Sequence, residues 1–328
     1  MIRLVLHLLA GGSLAAGMIS LAVAGDAYRP DPGRYAIHVE PSVALPYPAL
    51  DKDLLLRLTY PEPREDEQHP LIIFSHGGRC SRDAYTGFAD HWASHGYIVV
   101  QPAHLDSSSI EPPALRGMQM MNTAVRTRRM DLPYIIDSIG TIEALVPALR
   151  GRIDSERIVV AGHSLGGATA MAVTGVIMVD PSTGEEFGFL DARIDALLLI
   201  TNPGNSPLMP DDPWRFVALP TFVATGTNDV SGLARAIKSK SVFHFPVGAQ
   251  FADTPNHYLF IDDMDHYLGG LICKPRPDDT PDQDAARIIN GVSVAFLNAY
   301  MKGDTNALEF LNGQQMPESV PRATLSIR

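Results

Sequence analysis

The segment Gly162-His163-Ser164-Leu165-Gly166 follows directly on Ile158-Val159-Val160 and leads into Gly167-Ala168-Thr169-Ala170-Met171-Ala172. The β-branched run reads as a buried strand and the small-residue run as a helix, so Ser164 is expected at a sharp strand-to-helix turn. The glycines two residues before and two after it leave space for a strained turn and for close strand-helix packing. The serine oxygen is thereby lifted to the end of a sheet. There the N-terminus of the following helix and the backbone N–H of Leu165 can stabilise a developing negative charge.

The rest of the chain repeats this alternation. Residues 54–60, 71–74, 97–100, 157–161, 196–200, 221–225 and 258–261 read as strands, with 54–60 as an early edge strand. Residues 83–94, 131–149 and 288–301 read as helices: the first has Tyr85, Phe88, Ala89 and Trp92 on one face, the second Ile135, Ile139, Ile142 and Leu145, and Gly303 ends the third. Alternating strands and helices predict an α/β fold, with a mostly parallel central sheet, helices on both faces and no large separate cap. With 328 residues, 45% hydrophobic and 19% charged, residues 25–328 suffice for a single domain with a sizeable core. No internal repeat is visible. Two stretches break the alternation, 104–128 with Met118, Met120 and Met121, and 202–216 with Trp214. Both follow strands on the side where Ser164 lies, so these four side chains are candidates for a substrate-binding rim, with plain connection as the other reading.

Charge narrows the partners. There are 26 Lys and Arg against 37 Asp and Glu, a formal charge of −11, and no basic run, which argues against nucleic acid. Residues 1–24 have Arg3 ahead of an apolar stretch and end in Ala22-Val23-Ala24. They read as a secretory signal peptide cut after Ala24, which predicts a secreted or periplasmic protein without stable membrane insertion once it is removed. The alternative is an uncleaved membrane anchor. Cys80 and Cys273 are the only cysteines, so one disulfide is allowed, and it would tie two suspected site loops together; the other reading is two buried thiols. Two cysteines without a nearby His-x-x-His pair give little support for a metal.

A serine hydroxyl needs a base to take its proton, and the base needs an acid to hold its tautomer. Residues 221–229 form a strand and turn ending in Asp229, and residues 258–266 a strand and loop ending in His266. Asp229 is therefore expected as the orienting acid and His266 as the base. Asp262, Asp263 and Asp265 share the short loop of His266 and would have to turn back to reach it, and Asp195 precedes its strand. His163 is expected to point away from Ser164, while His104 and His257 lack a strand-loop setting. The second oxyanion donor is expected in Ser75-His76-Gly77-Gly78-Arg79, from the N–H of Gly78 or Arg79.

The set S-H-G-G, W-A-S-H-G-Y-I-V-V-Q-P-A-H, G-H-S-L-G-G, T-G-T-N-D and D-H-Y-L-G-G resembles the α/β-hydrolase superfamily over nearly all of residues 25–328. Within it, the chain is similar to the dienelactone-hydrolase-like serine esterases related to platelet-activating-factor acetylhydrolases, chlorophyllases and polyester-degrading cutinase-like enzymes. The resemblance implies hydrolysis of carboxylic esters through an acyl-enzyme, without a cofactor, the ester substrate being a small molecule or a polymer. True dienelactone hydrolases carry a cysteine where this chain has Ser164, so their substrate does not transfer. The acetylhydrolases are expected to place their acid after the strand that ends here at Asn202, so Asp229 follows the other branch. The same triad would also serve a secreted peptidase or amidase, and a non-catalytic binding protein on this fold would lack a triad member.

Overall fold

The computed structural model describes residues 27–110, 117–180, 183–201, 217–230, 255–273, 275 and 278–327, with the side chains of 117–125, 178 and 187 set aside. The expected signal peptide, Asn202 and Trp214 lie outside the described residues, and Met118, Met120 and Met121 are placed by their backbone alone.

The apolar runs become strands of one nine-stranded sheet. In chain order the strands are β1 (Ile37–Tyr47), β2 (Lys52–Pro61), β3 (His69–Ser75), β4 (Ile98–Pro102), β5 (Ile153–His163), β6 (Met178–Val179), β7 (Glu186–Phe187), β8 (Ala196–Ile200), β9 (Thr221–Asn228), β10 (Asn256–Asp265) and β11 (Ala323–Ile327). The spatial order is β1-β2-β4-β3-β5-β8-β9-β10-β11, and β6 with β7 forms a separate small ribbon. Pairing is parallel from β4 through β10 and antiparallel where β1, β2 and β11 join. The helices are α1 (Thr86–Ser94), α2 (Gly117–Asp137), α3 (Ile139–Leu145), α4 (Leu165–Ala172), α5 (Gln283–Lys302) and α6 (Thr305–Gly313).

Strand side chains alternate between faces, and β3, β4, β5 and β8 are buried on both, which explains why they read as continuous apolar runs. On one face Ile72, Phe74, Val99 and Val159 pack with Phe88 and Trp92 of α1 and with Ile288 and Phe296 of α5. On the other, Leu71, Ile73, Val100 and Val160 pack with Ile135 of α2, Ile142 of α3 and Met171 of α4.

Two expectations are corrected. The edge is β1 rather than 54–60: Pro41, Pro46 and an exposed outer face remove the apolar alternation that would have marked it. The helix expected at 131–149 starts at Gly117 and stops at Asp137, with α3 beyond it, so Met118, Met120 and Met121 stand on a helix rather than in an irregular stretch. After α5, which Gly303 caps in the left-handed conformation as expected, the chain adds α6 and β11.

The turn at Ser164 depends on the absence of two side chains. Ser164 has φ 55° and ψ −120°, a conformation that L-residues adopt only when the surroundings hold them there. A Cβ on Gly162 would collide with the backbone of Gly166, and one on Gly166 with the carbonyl of Ser75. Gly166→Ala should therefore lose at least about 1–3 kcal/mol of stability. Gly140→Ala, in α3 with open space around it, should gain up to about 1 kcal/mol from helix propensity. Paired thermal unfolding of the two variants checks the contrast.

Cys80 and Cys273 are joined as a disulfide across a sequence separation of 193. Closing so long a loop restricts the unfolded chain, so replacing both cysteines with serine should lower the unfolding free energy in urea by about 2–5 kcal/mol.

Burial also fixes the acid response. It pushes His91 and His257 down to about 4 and lowers His69 and His95 as well. The native state then binds fewer protons than the unfolded chain between about pH 6.5 and 4, so stability rises with pH across that window, by on the order of 1–3 kcal/mol for each of His91 and His257. Asp131, pushed up to about 7 by burial, contributes in the opposite sense. The histidines outnumber it, so the urea midpoint should fall between pH 7 and pH 4.5, and by less in His257→Gln.

Candidate active site

Ser164, Asp229 and His266 come from three different strand ends and meet in one hydrogen-bonded line. Ser164 follows β5, its N–H donating to the Thr201 carbonyl at 3.2 Å and its carbonyl accepting from Ala168 N–H at 3.0 Å. Its Oγ lies 2.9 Å from His266 Nε2. His266 Nδ1 lies 2.6 Å from Asp229 Oδ1, and Asp229 Oδ2 accepts from the Thr225 hydroxyl at 2.6 Å. Asp229 and His266 are buried, while Ser164 keeps partial exposure, so only the end of the line that carries the hydroxyl faces solvent. With Nδ1–H directed to the carboxylate, Nε2 is left as the acceptor facing the serine.

The competing acids are engaged elsewhere. Asp265 Oδ1 accepts the N–H groups of Tyr267 and Gly269, each at 2.9 Å, and Asp262 and Asp263 are exposed. Asp195 Oδ2 accepts Ile158 N–H at 2.8 Å, beneath the elbow strand.

His163 points away from Ser164 and links two loops. Its Nε2 donates to the His266 carbonyl at 2.9 Å, and its Nδ1 accepts from the Tyr85 hydroxyl at 2.7 Å. The Tyr85 oxygen in turn accepts Gly77 N–H at 3.0 Å. The loop after β3 is thus tied to the loop of His266 by a continuous chain, and the disulfide crosses at nearly the same place. Tyr85 was legible only as one residue of an apolar helix face; its hydroxyl, by contrast, serves the site.

The two expected oxyanion donors differ. Arg79 N–H donates to Asp106 Oδ2 at 2.9 Å, so it is committed to a carboxylate. The N–H groups of Gly78 and Leu165 meet no acceptor among the described residues. Gly78 also lies against Leu165, since a Cβ built on it would stand 3.3 Å from Leu165 Cδ2. That leaves Gly78 and Leu165 as the adjacent pair.

Beneath this loop lies a buried polar group that sequence reasoning did not find. Arg128 of α2 and Asp106 form a two-pronged ion pair, Nε to Oδ1 at 2.9 Å and Nη2 to Oδ2 at 2.8 Å. Burial alone would raise the Asp106 carboxyl, but the Arg128 guanidinium and the N–H groups of Arg128 and Arg79 outweigh it and hold the group well below the usual carboxylate range. Beside it, His104 joins Ser75 Oγ at 2.8 Å and Asp131 Oδ2 at 2.7 Å; all three are fully buried, and burial together with the nearby Arg128 charge keeps His104 from protonating. The order Ser, His, Asp recurs there without access for a substrate. Their sequence signals are a histidine after a strand and polar residues on an otherwise ordinary helix.

Cys80, His163 and Cys273 are the described residues whose ligand atoms cluster most like a metal site, all within 4.8 Å. The two sulfurs are bonded to each other and both His163 nitrogens are hydrogen-bonded, so the cluster offers no donor set for an ion. No helix among the described residues is long and apolar enough to cross a membrane.

Residues 35–181 match the chlorophyllase family model. The chain is 24% identical over 272 residues to chlorophyllase type 0 of Chenopodium album, covering 74% of this chain and 70% of the relative. It is 24% identical over 253 residues to cutinase 2 of Thermobifida cellulosilytica, covering 76% and 75%. A dog platelet-activating factor acetylhydrolase is 29% identical over 143 residues, 33% of this chain and 32% of its own length. With the mostly parallel sheet of an α/β-hydrolase fold, these matches make the chain a carboxylic-ester hydrolase.

Proposed function

We propose that the ester is cleaved through an acyl-enzyme on Ser164. His266 takes the hydroxyl proton as Oγ attacks the carbonyl, and the N–H groups of Leu165 and Gly78 receive the oxyanion. His266 then protonates the leaving alcohol and activates water to release the acid. Asp229 holds the imidazole in the tautomer that accepts at Nε2 and stabilises the imidazolium. The observation that carries this reading is the unbroken line from Ser164 Oγ through His266 to Asp229, at 2.9 and 2.6 Å.

The whole of 25–328 serves as one catalytic domain. Esters with medium-chain, aromatic or polymeric apolar parts are the proposed substrates, because the start of α2 carries Met118, Met120 and Met121. The relatives named chlorophyllase, cutinase and acetylhydrolase support ester hydrolysis without singling out one ester. The protein is proposed to act outside the cytoplasm, a reading supported by the export-like residues 1–24 and by the joined Cys80 and Cys273, since such bridges persist in oxidising compartments.

A series of p-nitrophenyl esters of rising chain length, with an aromatic diester and an aliphatic polyester film, reads the substrate range. On the preferred ester, Ser164→Ala should lower kcat by several orders of magnitude and Asp229→Asn by about four, while Asp263→Asn and Asp265→Asn stay within about tenfold of the parent. Full activity in a folded Ser164→Ala protein would refute the mechanism.

A further inference from the structure

We propose that Arg128 and Asp106 form a positioning clamp that turns the Gly78 N–H toward the oxyanion, an inference that rests on the Ser164 mechanism. The loop after β3 has three peptide groups between His76 and Arg79, and each one is fixed from outside the loop. Arg128 Nη1 donates to the His76 carbonyl at 2.6 Å, while the N–H of the same peptide, on Gly77, donates to Tyr85 at 3.0 Å. Arg128 Nη2 donates to the Gly77 carbonyl at 3.1 Å from outside the loop, an oxygen that also accepts from His76 Nδ1 at 2.8 Å and Cys80 N–H at 3.2 Å. A trans peptide directs its C=O and N–H in opposite senses. The Gly78 N–H of that second peptide must therefore face away from Arg128, and this is the donor beside Leu165. Asp106 fixes the third peptide by accepting Arg79 N–H at 2.9 Å.

The guanidinium suits this task because its planar fork can bind a carboxylate and two successive carbonyls at once. Both side chains are fully buried, so water does not compete for these bonds. A flexible glycine pair has no preferred peptide orientation of its own; at Gly77-Gly78 the clamp supplies it together with the bonds from His76 and Cys80 to the Gly77 carbonyl. Neither side chain need touch the substrate.

Asp106→Leu with Arg128→Met removes both charges together, so that no ion is left unpaired in the core. The double variant should keep a cooperative thermal transition and lose kcat for p-nitrophenyl butyrate by about 100-fold, with KM within about threefold, as expected when a donor acts in the transition state. The readout specific to the oxyanion is the ratio of ester to thionoester turnover. Sulfur accepts hydrogen bonds weakly, so loss of the Gly78 donor should compress that ratio by about tenfold. Arg128→Lys keeps the charge without the fork; it should show the same split and carries the test if the double variant does not fold. A folded variant with kcat within threefold of the parent and an unchanged ratio overturns the clamp while an inactive Ser164→Ala leaves the nucleophile standing. Activity retained in Ser164→Ala overturns the mechanism itself. Recovery of every clamp variant only in unfolded form also overturns the assignment, because the ion pair would then serve folding alone.

Discussion

The backbone contact between Gly166 and Ser75 governs how the rest of the site can be built. At Gly166 the helix that follows the nucleophile rests directly on the carbonyl end of β3, with no space for a methyl group between them. This proximity has two effects. It keeps Ser164 in its positive-φ turn, because the chain can enter α4 by no wider path. It also brings the loop after β3 alongside Leu165, so that donors from two separate parts of the sequence converge. Tight packing of this kind leaves little tolerance for displacement.

Around that contact the polar interior is organised as braces rather than as a single network. Tyr85 and His163 connect Gly77 to the carbonyl of His266. The Cys80–Cys273 bridge joins the same two loops covalently. Arg128 and Asp106 hold the loop from the side of α2. Buried polar groups are tolerated when each finds partners, and here the partners are mostly backbone atoms of site loops. Polar burial is dense where loop geometry matters, and the strands of the sheet also carry buried polar side chains, among them Thr59, Gln101, Thr221 and His257.

Much of this was legible in the sequence for physical reasons. Buried strands announce themselves as short apolar runs, so β3, β4, β5, β8, β9 and β10 could be read directly. The elbow could be read because its glycines have a steric cause. Asp229 and His266 each close a strand followed by a short loop, and the structure brings both to Ser164. What could not be read shares a common character. β1 and β11 lie at sheet edges; prolines interrupt β1, and β11 alternates but is only five residues long. The extent of α2 was hidden by Pro133 and by a polar stretch with no apolar periodicity. Arg128, Asp106 and His104 act through contacts at least 22 residues away, and Tyr85 bridges Gly77 to His163, 78 residues away, which no local pattern encodes. For Arg79, spacing indicated an N–H of suitable position but gave no means of knowing that a carboxylate from the end of β4 had claimed it.

The sequence distances inside the site bear on how the molecule comes into being. Ser164 and His266 are 102 residues apart, and Asp229 stands 37 residues from His266. The strand beneath the nucleophile pairs with β3 across the intervening β4 crossover. Contacts of such range form late, after loop-closure entropy has been overcome, and sheets built from them fold slowly. Helices α1 and α5 can therefore gain secondary structure well before any base stands beside the serine. Returning enzymatic turnover during refolding would mark the moment at which the distant strands lock into register, an event that helical circular dichroism would miss.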